Sequence, residues 1–107
     1  MTPDKNSAAD GNLYRLENKQ DLTAELFEKI IDGRDIKIER IVSKGHVTAE
    51  GEWYDQEPDE WVVLLQGEAV IQYGDKTEKK LNSGDYLLIE SHVRHRVSYT
   101  SSDPVCI

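Results

Sequence analysis

The chain has 107 residues, enough for one hydrophobic core and too few for two. Asp and Glu total 21 against 13 Lys and Arg, a net charge of -8 that repels phosphate backbones and anionic lipid, so nucleic-acid and membrane-surface binding are excluded. The longest uninterrupted apolar stretch, Trp61 to Leu65, falls far short of the ~20 residues of a membrane helix, and the N-terminus has no apolar leader, so a cytoplasmic protein is expected.

Met1 to Asn12 is polar and small, with Pro3 and Gly11, and cannot offset the entropy of ordering; a disordered tail is expected. Residues 13–107 then form one domain. Leu13 to Leu16 is expected as a short strand. Over 22–32 an amphipathic helix is predicted, with Leu22, Leu26 and Ile30 at i, i+4, i+8 and Phe27 and Ile31 alongside. Asp21 would be its N-cap and Gly33 its C-cap.

From Asp35 the period changes to two. Strands are predicted at Ile36 to Ser43, Glu60 to Gln66, Ala69 to Tyr73, Thr77 to Leu81, Tyr86 to Ile89 and Arg94 to Thr100, with a stub at Val105 to Ile107. Gly74-Asp75 and Ser83-Gly84-Asp85 supply turns. Regular short strands of this kind argue a sandwich or barrel, here an all-β fold preceded by the one helix. The single cysteine, Cys106, cannot form an intramolecular disulfide and agrees with a reducing compartment.

Two stretches carry the chemistry. In WYDQEPDEWVVLLQG (53–67), Asp55 and Glu60 bracket a Pro-containing loop before an apolar strand. In GDYLLIESHVRHRVSY (84–99), His92 and His95 flank the entry to another strand. Alternation places His95, Val97 and Tyr99 on one face, and Glu60 with Val62 and Leu64 on one face, so an imidazole and a carboxylate point into one interior. They form either a structural Glu60–His95 hydrogen bond or a metal site, since buried polar groups need partners. Asp55, Glu60 and His95 would offer a divalent metal two carboxylates and one imidazole. Gln56 replaces Asp55 if the loop is one residue tighter, and His92 is in reserve. Such donors suit nickel, iron, manganese or zinc.

These residues resemble the cupin superfamily, whose first motif is His-x-His, three or four residues, Glu, six residues, Gly, and whose second is Gly, five residues, Pro-x-Gly, two residues, His, three residues, Asn. Glu60 with Gly67, and Gly84 with His95, have that spacing. The first-motif histidines fall on Trp53 and Asp55, or on Tyr54 and Gln56. The Pro, Gly and Asn of the second become Glu90, His92 and Tyr99. The resemblance covers roughly 36–107 and implies a double-stranded β-helix, the jelly-roll barrel, with Glu60 and His95 carried over as metal ligands. The set lacks the two histidines and one carboxylate of oxygen-activating iron, which argues against a dioxygenase.

Two functions follow. One is a small metal-dependent isomerase, decarboxylase or hydrolase in which Asp55, Tyr54 or His92 moves a proton. The other is a non-catalytic cupin that binds a small ligand without a metal, or serves as an accessory protein. Because Trp61, Val63 and Leu65 make an apolar outer stripe that one short helix would not cover, a homodimer is expected.

Overall fold

Alternation of period two governs the elements, and turns bearing Gly or Asp separate them. The computed structural model describes residues 10–16 and 22–107. Its seven strands are β1 (Leu26–Asp32), β2 (Lys37–Val42), β3 (Glu60–Val63), β4 (Glu68–Tyr73), β5 (Glu78–Asn82), β6 (Tyr86–Ile89) and β7 (His95–Thr100). All pairings are antiparallel, in three sheets ordered β1-β2, β3-β6 and β5-β4-β7. This all-β arrangement is consistent with a small jelly roll. The core collects Leu64, Ala69, Ile71, Leu81 and Cys106, with Tyr73, Leu87 and Val97 packed against it. No helix of the described residues is long and apolar enough to cross a membrane.

The helix expected at 22–32 is a strand. Leu26, Glu28 and Ile30 are half-buried while Phe27, Lys29 and Ile31 are exposed, and β1 pairs with β2 through Leu26–Val42, Phe27–Ile41 and Glu28–Arg40. Spacings of four and eight are even, so Leu22, Leu26 and Ile30 satisfy a period of two as well as one of 3.6. The β-branched pair Ile30-Ile31 and a complementary β2 decide for the strand. Gly33 opens the hairpin, donating its N–H to the Ile36 carbonyl at 2.9 Å, and is no helix cap. Asp21 and residues 1–9 of the expected tail lie outside the described residues. Leu13 to Leu16 is not a strand either: Asn12 Oδ1 accepts from the Tyr14 N–H at 2.8 Å, an Asx turn that competes with extended pairing.

The β1–β2 hairpin is an arm. Its root is held by Arg40, buried, whose guanidinium donates to Glu28 and to the carbonyls of Leu13 and Arg15, so its charge is both paired and hydrogen-bonded. Beyond the root the two strands contact each other and no other strand extensively. Phe27, Ile31, Ile36, Ile38 and Ile41 stay exposed. A radius of gyration of 14.9 Å exceeds the about 13 Å of a compact chain this long.

The last seven residues stitch the rest together. Ser43 and Cys106 exchange backbone hydrogen bonds at 2.8 Å each, tying the arm's root to the chain end, while Ile107 donates to the Gln66 carbonyl and accepts from the Leu65 N–H. Ser101 Oγ accepts from the Glu68 N–H at 3.0 Å and donates to the Pro104 carbonyl at 2.9 Å. The short stub is therefore paired along both sides. Gly67 sits inside this stitch at φ +90°, where an added Cβ would collide with Ser101 Oγ and meet the Val105 carbonyl at 3.1 Å.

Alternation fails once in β7. Tyr99 pairs with Val70 but Val97 with Ile71, so Ser98 is a bulged residue and the facing flips beyond it. His95 is buried and Val97 half-buried, as alternation requires, yet Tyr99 is exposed and Thr100 buried. The placement of Tyr99 on the His95 face is corrected accordingly.

Two outcomes follow from the stitch. Gly67→Ala places a side chain at a left-handed φ and against the Ser101 hydroxyl, with the Val105 carbonyl close behind, and should cost about 3 kcal/mol in urea denaturation; an unchanged midpoint would contradict the packing described. Burial, and secondarily the Glu25 carboxylate, pushes the Cys106 thiol up to about 11. An unfolded thiol ionises near about 8.5, so between there and about 11 only the unfolded state releases the proton, and stability falls as pH rises. The decline measured between pH 8 and 10.5 should be shallower in Cys106→Ala.

Candidate functional site

Two loops zip together where β3 begins and β7 begins. Tyr54 and His95 exchange backbone hydrogen bonds at 2.8 and 3.1 Å, the His92 N–H donates to the Gln56 carbonyl at 2.8 Å, and the Ser91 N–H donates to Asp59 Oδ1 at 2.8 Å. This ladder sets the register between residues about forty positions apart. It sets Tyr54, Asp55 and Gln56 alongside His92 and His95, and Glu60, paired with Ile89 in β3–β6, joins them through the Gln56 side chain.

His95 is the buried member, 4% exposed. On one side its backbone pairs with Tyr73 of β4 and on the other with Tyr54. Its Nδ1 lies 2.9 Å from the Val93 carbonyl. A carbonyl only accepts, so Nδ1 carries the proton, and in the neutral ring Nε2 keeps the lone pair. The Tyr54 ring stacks on the imidazole, centroids 5.6 Å apart and planes at 27°. The ring is thus fixed in tautomer and orientation, with Nε2 able to accept a proton, a hydrogen bond or a metal.

The other candidates are satisfied elsewhere. Asp55 Oδ1 accepts from His92 Nδ1 at 2.7 Å in an exposed pair. Glu60, half-buried as alternation predicted, accepts from Gln56 Nε2 at 3.1 Å. No Glu60–His95 hydrogen bond forms among the described residues, so the structural pair does not exist in that form. His92 occupies φ +60°, the left-handed conformation that a glycine at this motif position adopts freely. Histidine tolerates it better than most side chains, and there its ring meets Asp55.

A metal needs three or four convergent donors. Among the described residues, no three His, Cys, Asp or Glu side chains are placed to hold one. His95 has the right tautomer and a fixed ring, but Asp55 is turned to His92 and Glu60 to Gln56. As arranged, Asp55, Gln56, Glu60 and His95 do not fit a divalent ion.

Neighbouring positions add an aromatic and cationic fringe. Trp53 is half-buried, with the Arg94 guanidinium carbon 5.1 Å and Lys76 Nζ 5.7 Å from its ring centroid. An open depression lined by Tyr73, Gly74, Asp75, Thr77, Val93 and Arg94 adjoins the loop that delivers His95. The β4–β5 turn's part in it escaped sequence reasoning, because nothing near Lys76 or Thr77 in sequence announces a partner at Trp53.

A family model described as "Cupin domain" matches residues 39–107. No curated protein matches the chain. Among solved structures, a protein of Ralstonia eutropha JMP134 described as a "putative mannose-6-phosphate isomerase" is 36% identical, with a TM-score of 0.79, covering 87% of this chain and 86% of that one. The family match runs from β2 to the last residue and takes in Glu60, Gly67, Gly84 and His95, the residues whose spacing resembled the two motifs. The chain belongs to the cupin family.

Proposed function

We propose that this cupin binds a small, uncharged polar molecule at His95 without a divalent metal. The observation that carries the reading is the pair of commitments around the imidazole: Nδ1–H held by the Val93 carbonyl, and Asp55 held by His92. Together they leave one fixed lone pair at Nε2 beside an aromatic face. A fitting ligand brings an O–H or N–H to Nε2 and a flat or apolar surface to Tyr54, the combination of convergent polar group and aromatic wall typical of small-molecule sites. The net charge of -8 disfavours an anion at long range.

A second reading is supported by the relative described as a "putative mannose-6-phosphate isomerase". In it, Glu60, His95 and either Asp55 or Gln56 would hold nickel, iron, manganese or zinc, which would polarise a substrate oxygen for isomerisation, decarboxylation or hydrolysis. With Asp55 as ligand that reading requires Asp55 to leave His92, and with Gln56 it requires the amide to turn from Glu60. Arg94 and Lys76 beside Trp53 would then meet a phosphate.

Metal loading separates the two. Chelator-treated, untagged protein reloaded with each of the four metals should retain less than about a tenth of an equivalent, because three good donors are not assembled. A stoichiometric metal that disappears in His95→Ala would establish the second reading. His92→Ala sharpens the test: it frees Asp55, so tighter metal binding than in the unmodified protein supports the isomerase, and no change supports the metal-free site. Mannose 6-phosphate incubated with metal-loaded protein should not be consumed above background; consumption abolished in Glu60→Gln would overturn the proposal.

A further inference from the structure

With 21 acidic residues against 13 Lys and Arg, a base in this chain has many carboxylates to pair with. Three bases gathered near Trp53 have none: among the described residues, Lys76, Arg94 and Arg96 form no salt bridge. Tyr54 stacks on the buried His95 imidazole, so its neighbour Trp53 turns to the opposite face, where Arg94 and Arg96 also alternate away from that ring. There Trp53 holds the Arg94 guanidinium and Lys76 Nζ, at 5.1 and 5.7 Å from its ring centroid. Arg96 is half-buried; its Nη1 donates to Gln72 Oε1 at 3.0 Å and its Nη2 to the Thr48 carbonyl at 2.9 Å, both neutral acceptors, while Nε is buried without a partner. A half-buried guanidinium without a counter-charge is costly, and an orphaned buried donor calls for an explanation.

The β4–β5 turn is shaped to present this charge. At Gly74 an added Cβ would meet Arg94 Cβ at 3.2 Å, so the missing side chain makes room for the Arg94 stem. Lys76 holds φ +76°, a left-handed position suited to glycine, and the strained residue supplies a cation where glycine would supply none. Asp75, the one carboxylate lining the depression, is engaged by Thr77: its Oδ1 accepts from the Thr77 N–H at 3.0 Å and from the hydroxyl at 2.6 Å. Three positive charges against one negative leave an excess that a phosphomonoester, with a charge of roughly -1.5 to -2, balances better than a monocarboxylate does. We propose that Arg94 and Lys76, supported by the charge of Arg96, bind the phosphate group of a small phosphomonoester in the depression beside Gly74. Arg94 offers a planar fork and Lys76 a point charge, two complementary ways of gripping a phosphate. The site needs no metal and stands apart from His95, whose imidazole lies on the other face. The net charge of -8 opposes an approaching anion, but salt screens that field beyond about 10 Å, and at contact the local cluster decides.

Trp53 is the reporter. In a Trp61→Phe background it is the sole tryptophan, and its emission should change saturably with glycerol 3-phosphate and with inorganic phosphate, at a dissociation constant of about 1 mM or below. Glycerol should give no response, and acetate should bind at least about tenfold more weakly. Arg94→Gln and Lys76→Gly should each weaken phosphate binding about tenfold. Glycine relieves the backbone at 76, so Lys76→Gly should melt no lower than the parent protein, which separates lost binding from lost fold; Arg94→Gln, at an exposed position, is the second variant. His95→Ala leaves the outer face intact and should bind phosphate unchanged, so this site and the one at His95 stand or fail separately. An absent saturable response overturns the proposal, as does acetate binding as well as phosphate. Binding unmoved by Arg94→Gln and Lys76→Gly overturns it too, and so does a loss in His95→Ala equal to that in Arg94→Gln, which would put the phosphate at the barrel mouth.

Discussion

Backbone pairing by the segment 101–107 holds the other parts of the molecule in relation to each other. Three separate sheets of two or three strands have no reason to stay in register with one another unless something crosses between them. Cys106 pairs with Ser43 at the root of the arm, Ile107 pairs with Leu65 and Gln66 after β3, and Ser101 caps the start of β4. These groups are buried, so every unmade hydrogen bond would carry the desolvation cost of an orphaned amide or carbonyl. The glycine at 67 is required because backbone and the Ser101 hydroxyl already occupy the space a side chain would take. A spacing that reads in sequence as a family motif is, physically, a close approach of three chain segments.

The ladder between Tyr54 and His95 builds on that frame and fixes the chemistry available at the barrel mouth. It delivers one buried imidazole with an assigned tautomer, and it lets the surrounding carboxylates find local partners. Asp55 and His92 occupy two positions where the two family motifs carry other residues, and they are in contact with each other at 2.7 Å. Departures in separate motifs are thus one structural change: the left-handed turn at 92 brings its ring to the carboxylate at 55. In this arrangement the Asp55 carboxylate accepts from the His92 ring at the surface and is turned away from the buried imidazole of His95.

Substituting a hairpin for the expected helix is felt on the outside of the fold. With a hairpin in place of the helix, Trp61, Tyr86 and Leu88 stay exposed among the described residues, and Ile31, Ile36 and Ile38 are exposed as well.

Much of the barrel was legible in the residues. Tyr86–Ile89 was placed to the residue, and the strands at 68–73, 78–82 and 95–100 to within one or two, because each alternates between turns built on Gly or Asp. The burial of His95 and the half-burial of Glu60 followed from alternation alone. Three things did not. The even spacing of Leu22, Leu26 and Ile30 fits both periods, and only the partner strand β2 breaks the tie. The bulge at Ser98 flips Tyr99 outward, and a bulge is set by the pairing with β4 rather than by anything within β7. The pairing of Asp55 with His92 depends on a register between segments 37 residues apart. Local periodicity determined which side chains face inward; which of them meet was decided by tertiary pairing, since a contact between distant segments has no signature in either one.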